Sequence, residues 1–149
     1  MPDHPSLFTT ILVPIDDSES SIAAGRLAVR LAGEVHARLF FVYIVDPSAV
    51  RNISDTSGKE YRLVETEMMS DADSRLNHLS RLARDIHLDT GRTIRNGEPC
   101  GEIADLAEKQ KADLIVVGRL KDNGREQTAV SAVTGQVLEQ APCPVLVVQ

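Results

Sequence analysis

Five short apolar stretches, alternating with segments of helical periodicity, are the feature that most restricts how this chain can fold. The first, Thr10-Ile11-Leu12-Val13-Pro14-Ile15, is rich in β-branched residues and runs into Asp16-Asp17-Ser18, a turn and helix-capping cluster. Helical spacing of Ile22, Ala23, Leu27, Leu31 and Val35 predicts a helix over 19–35. Leu39 to Val45 is then almost uninterruptedly apolar, the pattern of a parallel strand buried on both faces. Asp46 to Lys59 is rich in Ser, Asn, Asp, Pro and Gly and is read as a long loop, a candidate lid or partner-specific segment. A long helix is predicted over 60–87, with Val64, Met68, Ala72, Leu76, Leu79, Ala83 and Ile86 inward and a solvated charged face opposite.

The second half repeats the alternation. Thr90 to Arg95 is a weaker, more polar strand, expected near a sheet edge, and Asn96-Gly97-Glu98-Pro99 makes a turn. A helix over 101–111 precedes the apolar run Asp113 to Gly118, and a loop to Gln127 leads into a helix over 128–139. Cys143 to Gln149 forms the fifth strand. Strands alternating with helices require a parallel sheet covered on both faces. Nothing in the composition of residues 1–149 divides them, and one domain is expected. In such a sheet ligands lie beyond the carboxyl ends of the strands, where the strand order reverses. Attention therefore falls on Asp16-Asp17, the segment after Val45, and the segment from Gly118.

Composition removes several function classes. A formal net charge of −6 with scattered Lys and Arg leaves no electrostatic footprint for nucleic acid or an anionic membrane. Trp is absent, with two Tyr and three Phe, so base-stacking platforms are not expected either. No apolar run reaches the length of a membrane span. Met1-Pro2-Asp3-His4-Pro5 lacks the basic and apolar regions of a signal peptide, and the cytoplasm is the expected compartment. Cys100 and Cys143, far apart in sequence, read as reduced, mostly buried thiols.

At the strand ends the chain resembles the universal stress protein family over nearly its whole length. The resemblance rests on Ile11 to Glu19, on Gly97-Glu98-Pro99 with Glu102-Ile103, on Ala112 to Gly118, and on Val137-Leu138 with Ala141 to Val148. It implies a flavodoxin-like α/β fold, a doubly wound five-stranded parallel sheet of order 3-2-1-4-5 with helices on both faces. ATP-binding members carry Gly-x-x-Gly, nine residues, then Gly-Ser or Gly-Thr after strand four. Glycines there let the backbone approach phosphate oxygens, while exposed N–H groups and a helix N-terminus supply positive potential. Here Gly118 is kept, but the other motif positions fall on Lys121, Ser131 and Ala132.

Those changes predict that ATP is not bound in the usual way. The alternative is an altered phosphate loop in which Arg119 and Lys121 bring positive charge. If the family's site is retained, its positions are Pro14, Asp16, Val42, Gly118, Arg119, Lys121, Gly124 and Ser131. The base would lie against the second strand's end, around Val42 to Ile44, and Asp16 would lie near the adenine or ribose. From the residues alone, Asp16 reads equally as a cap for the first helix. No cofactor is required, and an adenine nucleotide is the ligand the resemblance implies.

A phosphoacceptor receiver domain shares the fold and an acidic pair after strand one. It is disfavoured because strand three ends in Asn96-Gly97 and no Lys follows the last strand. Hydrolase and adenylyl-transfer readings lack a nucleophile elbow, a Walker loop, or a His pair spaced for metal. A non-enzymatic regulatory module is expected, acting on an unidentified protein partner. The final run Val145, Leu146, Val147 and Val148 has no charge or bulge to protect it, and such an edge templates pairing with another chain. In this family the equivalent strand commonly mediates a homodimer, which is the assembly expected here.

Overall fold

Apolar residues on β1 (Thr10–Ile15) and β2 (Arg38–Val45) divide by parity between two cores, so both faces of these strands are covered. Ile11, Val13, Leu39 and Phe41 join the core on one face, and Leu12, Phe40 and Val42 join the core on the other. A computed structural model describes residues 6–121 and 132–149 of the chain. Its remaining strands are β3 (Thr90–Asn96), β4 (Leu114–Val117) and β5 (Val145–Val147). All neighbouring pairs are parallel, in the order β3-β2-β1-β4-β5. The fold is therefore the flavodoxin-like α/β architecture expected from the sequence.

The first core lies beneath α1 (Glu19–Val35), α2 (Pro47–Ser57) and α3 (Tyr61–Asp85), and the second beneath α4 (Pro99–Lys109) and α5 (Ala132–Gln140). The polar strand β3 sits at one edge as expected. It is defended by charge: Arg95 pairs with Glu102 and Asp105, and Arg92 with Asp73. At the other edge, among the described residues, β5 is paired with β4 alone, through Val145, Leu146 and Val147.

One expectation is overturned. The segment from Asp46 to Lys59 is not a loop: α2 occupies Pro47–Ser57 and buries Ala49 and Val50. Asp46 caps its start, Pro47 takes the first turn where a missing N–H costs nothing, and Gly58 closes it at φ 76°. Composition hid the helix, because Ser, Asn and Asp favour turns on average. Their position opposite Ala49, Val50 and Ile53 gives them a solvated helical face instead. In α4, Glu98 caps and Pro99 opens the helix, so the turn expected over 96–99 merges into its start.

Candidate functional site

β1 lies between β2 and β4, and the connection from β3 to β4 crosses to its other side. That reversal opens a crevice between the carboxyl ends of β1 and β4. Asp16 follows β1 there and makes two kinds of contact. Its Oδ1 accepts hydrogen bonds from the Ser18 backbone N–H (2.9 Å) and from the Ser18 hydroxyl. Ser18 Oγ in turn accepts from the Ser21 N–H at 3.1 Å, so Ser18 caps α1 and Asp16 holds the cap in place. The other Asp16 oxygen accepts the backbone N–H of Lys121 at 2.6 Å. Lys121 Nζ lies 2.9 Å from Asp17 Oδ1. The acidic pair after the first strand thus holds Lys121 by both its backbone and its side chain.

The rest of the β4 exit is fastened the same way. The Arg119 N–H donates to Ser20 Oγ (2.8 Å), and the Leu120 N–H donates to Thr134 Oγ1 (3.1 Å). The fully buried Thr134 hydroxyl donates back to the Gly118 carbonyl at 3.2 Å. A Cβ on Gly118 would lie 2.5 Å from the Ser20 carbonyl oxygen. Glycine is needed there for close packing of the loop on α1, whatever the ligand. Leu120 turns inward to the second core. Gly124 and Ser131 lie outside the described residues.

Beside this loop is a narrow cleft of about 70 Å³. Its polar rim includes Asp16, Asp17, Asp46 and Lys121, and its walls include Ile15, Ile44, Ile53, Met68, Ile103 and Val133. Pro14 lines it, and from the segment around Val42 to Ile44 the cleft is lined by Tyr43 and Ile44, while Val42 is fully buried in the second core. Burial, reinforced by Asp17, Asp71 and Asp16, pushes the Tyr43 phenol well above its ordinary range. It therefore keeps its proton, which it donates to Asp71 at 3.3 Å. Among the described residues no three His, Cys, Asp or Glu side chains are grouped to hold a metal ion.

A second crevice, of about 380 Å³, adjoins the cleft and shares Asp46, Pro99 and Val133 with it. The N-termini of α2 and α4 meet there. Asp46 accepts the Ser48 N–H at 2.9 Å, and Glu98 accepts those of Cys100 and Gly101 at 3.0 and 2.7 Å. Burial works to raise the Glu98 carboxyl, but hydrogen bonds from Gly101 and Cys100 outweigh it and hold the group below the usual carboxylate value. Cys100 is buried and its thiol is pushed up to about 12, chiefly by burial and then by Glu98. Cys143 is half-buried and, like Cys100, free of a disulfide. Both fit the reading of unreactive thiols.

Sequence reasoning named Asp16, Gly118 and Lys121 but missed Ser20, Thr134, Asp46 and Glu98, which complete the arrangement. Asp46-Pro47 and Glu98-Pro99 are each an acid before proline at a helix start, a readable capping signal. Ser20 and Thr134 carried no local signal, since their partners lie far away in the chain.

Residues 7–149 match the model of the universal stress protein family. A universal stress protein of Methanocaldococcus jannaschii is 31% identical, covering 97% of this chain and 84% of that protein. One of Bacillus subtilis is 30% identical over 96% of this chain and all of its own length. Among solved structures, a universal stress protein from Lactobacillus plantarum superposes with TM-score 0.71 at 28% identity, covering 95% of this chain and 97% of that one. Two more distant structures share the fold. One is a universal stress protein in complex with cAMP (22% identity, TM-score 0.67, 95% and 97% covered). The other is from Archaeoglobus fulgidus in complex with dAMP (19%, TM-score 0.68, 96% and 99% covered). Among the described residues no helix is long and apolar enough to cross a membrane. Fold and sequence agree: the chain belongs to the universal stress protein family.

Proposed function

We propose that this chain is a non-catalytic, cytoplasmic stress-response module, a homodimer whose cleft biases binding of a protein partner and does not take ATP in the usual way. The carrying observation is the β4 exit. Among the described residues, the N–H groups of Arg119, Leu120 and Lys121, donors at the start of a phosphate loop, are engaged by Ser20, Thr134 and Asp16. The groups placed for chemistry are similarly occupied. Asp16 and Asp17 hold Lys121, and the Tyr43 proton is held on a buried phenol beside carboxylates. ATP incubated with the protein should show no hydrolysis above the uncatalysed background by phosphate release. Turnover proportional to protein, lost in Asp16→Ala, would contradict the non-catalytic reading. A second reading, an adenine-nucleotide sensor with an altered loop, draws on the relatives solved with cAMP and dAMP and on the cationic Lys121.

The homodimer draws on β5. Its side chains alternate, with Leu146 39% exposed and Val145 and Val147 half-buried against the second core. Val148 follows the strand and bonds to the Val117 carbonyl at 2.8 Å. Antiparallel pairing of two such edges about a two-fold axis would cover both at once. Val147→Lys should convert dimer to monomer in light scattering at micromolar concentration. An unchanged dimer would sink the edge-strand assembly.

A further inference from the structure

The cleft and the crevice beside it lie at the N-termini of α1, α2 and α4, ends that ordinarily attract anions. In this chain the acceptors are already built in. Ser18 receives the Ser21 N–H of α1, Asp46 the Ser48 N–H of α2, and Glu98 two N–H groups of α4. The Arg119, Leu120 and Lys121 N–H groups at the β4 exit are taken in the same manner by Ser20, Thr134 and Asp16. Among the described residues lining the cleft, Lys121 is the single basic one, set against Asp16, Asp17 and Asp46. Its ammonium is 2.9 Å from Asp17.

From this geometry we propose that the cleft and the larger crevice adjoining it together select a ligand without phosphate, a neutral or cationic nucleoside and not a nucleotide. The proposal rests on reading the cleft as a ligand site. At any of these described N–H groups a phosphate would have to displace an internal acceptor, and it would lie among carboxylates that repel it. A hydroxyl or amino group meets the reverse situation, because the carboxylates have acceptor capacity to share. The walls formed by Ile15, Ile44, Ile53 and Met68 suit a flat ring. The departure from the relatives solved with cAMP and dAMP follows from this chain's own residues. Lys121 stands where the family's second loop glycine would be, and its backbone and side chain are bound to the acidic pair.

The test is calorimetric titration of the full chain with adenosine, AMP and ATP under identical salt and pH. Adenosine should bind at least about tenfold more tightly than AMP, with ATP weakest. AMP or ATP binding as tightly as adenosine would overturn the proposal while leaving the ligand site standing. Binding by none of the three would overturn the ligand-site reading itself, and the proposal with it. Asp17→Asn, at an exposed position, removes one carboxylate and frees the Lys121 ammonium, while the Lys121 N–H stays on Asp16. It should narrow the adenosine-to-AMP ratio to about threefold or less. An unchanged ratio would show that charge in the cleft does not set the preference, contradicting the proposal. The wild-type comparison stands whether or not that variant folds.

Discussion

Gly118→Ala is expected to destabilise the protein by about 3 kcal/mol, an effect of overpacking against a part of the structure that cannot yield. The added Cβ would lie 2.5 Å from the Ser20 carbonyl oxygen and 2.7 Å from the Ser20 carbonyl carbon. Both are backbone atoms in the first turn of α1, so no side-chain rotation relieves the contact. The neighbouring bonds make retreat costly, because moving residue 118 disturbs the Thr134 bond to its carbonyl and the Arg119 bond to Ser20. For a domain of this size the melting temperature should fall by about 6–12 °C. Gly135→Ala is the matched control. It lies within α5, and a Cβ there meets nothing within 4 Å. Removing a helical glycine should raise stability by roughly 0.5–1 kcal/mol. Equal melting temperatures for the Gly118 variant and its parent would mean that the glycine is not held by packing on α1.

This distinction matters for interpreting the altered loop. A retained glycine in a phosphate-binding motif is easily taken as a sign of retained phosphate binding. Here Gly118 has a sufficient structural reason in Ser20, and its presence says little about a ligand.

Much of the architecture was legible because its determinants are local in sequence. Leu39 to Val45 announces a strand buried on both faces by its lack of polar alternation, and the polar β3 announces an edge. α2 was obscured because composition was weighed over position. Asp46, Pro47 and Gly58 mark both ends of that helix, and only Ala49, Val50 and Ile53 mark its buried side. The site was legible only in part, for a different reason. Asp16 and Lys121 are separated by 105 residues, Ser20 and Arg119 by 99. Such pairings depend on the strand order, which places β1 beside β4. The cap expected of Asp16 is made by its neighbour. Ser18 performs the capping, while Asp16 supports that cap with one oxygen and the β4 exit with the other.

The central claim is that this exit is held by the chain's own side chains, and Asp16→Ala tests it with the second large effect expected here. The bond from the Lys121 N–H to Asp16 is 2.6 Å long and charge-assisted, the stronger class of protein hydrogen bond. Its loss should speed Lys121 amide exchange about 100-fold, as expected for a bond near the upper end of the roughly 1.5–3 kcal/mol range of charge-assisted bonds. The Leu120 amide, held by Thr134, supplies an internal reference that reports any general loosening of the domain. The decisive measurement is therefore residue-resolved amide hydrogen exchange of the unliganded protein and of Asp16→Ala. The expected result is a protected Lys121 amide in the parent, with about 100-fold faster exchange in the variant and little change at Leu120. A Lys121 amide that exchanges freely in the parent, or equally fast in both proteins, would contradict the account.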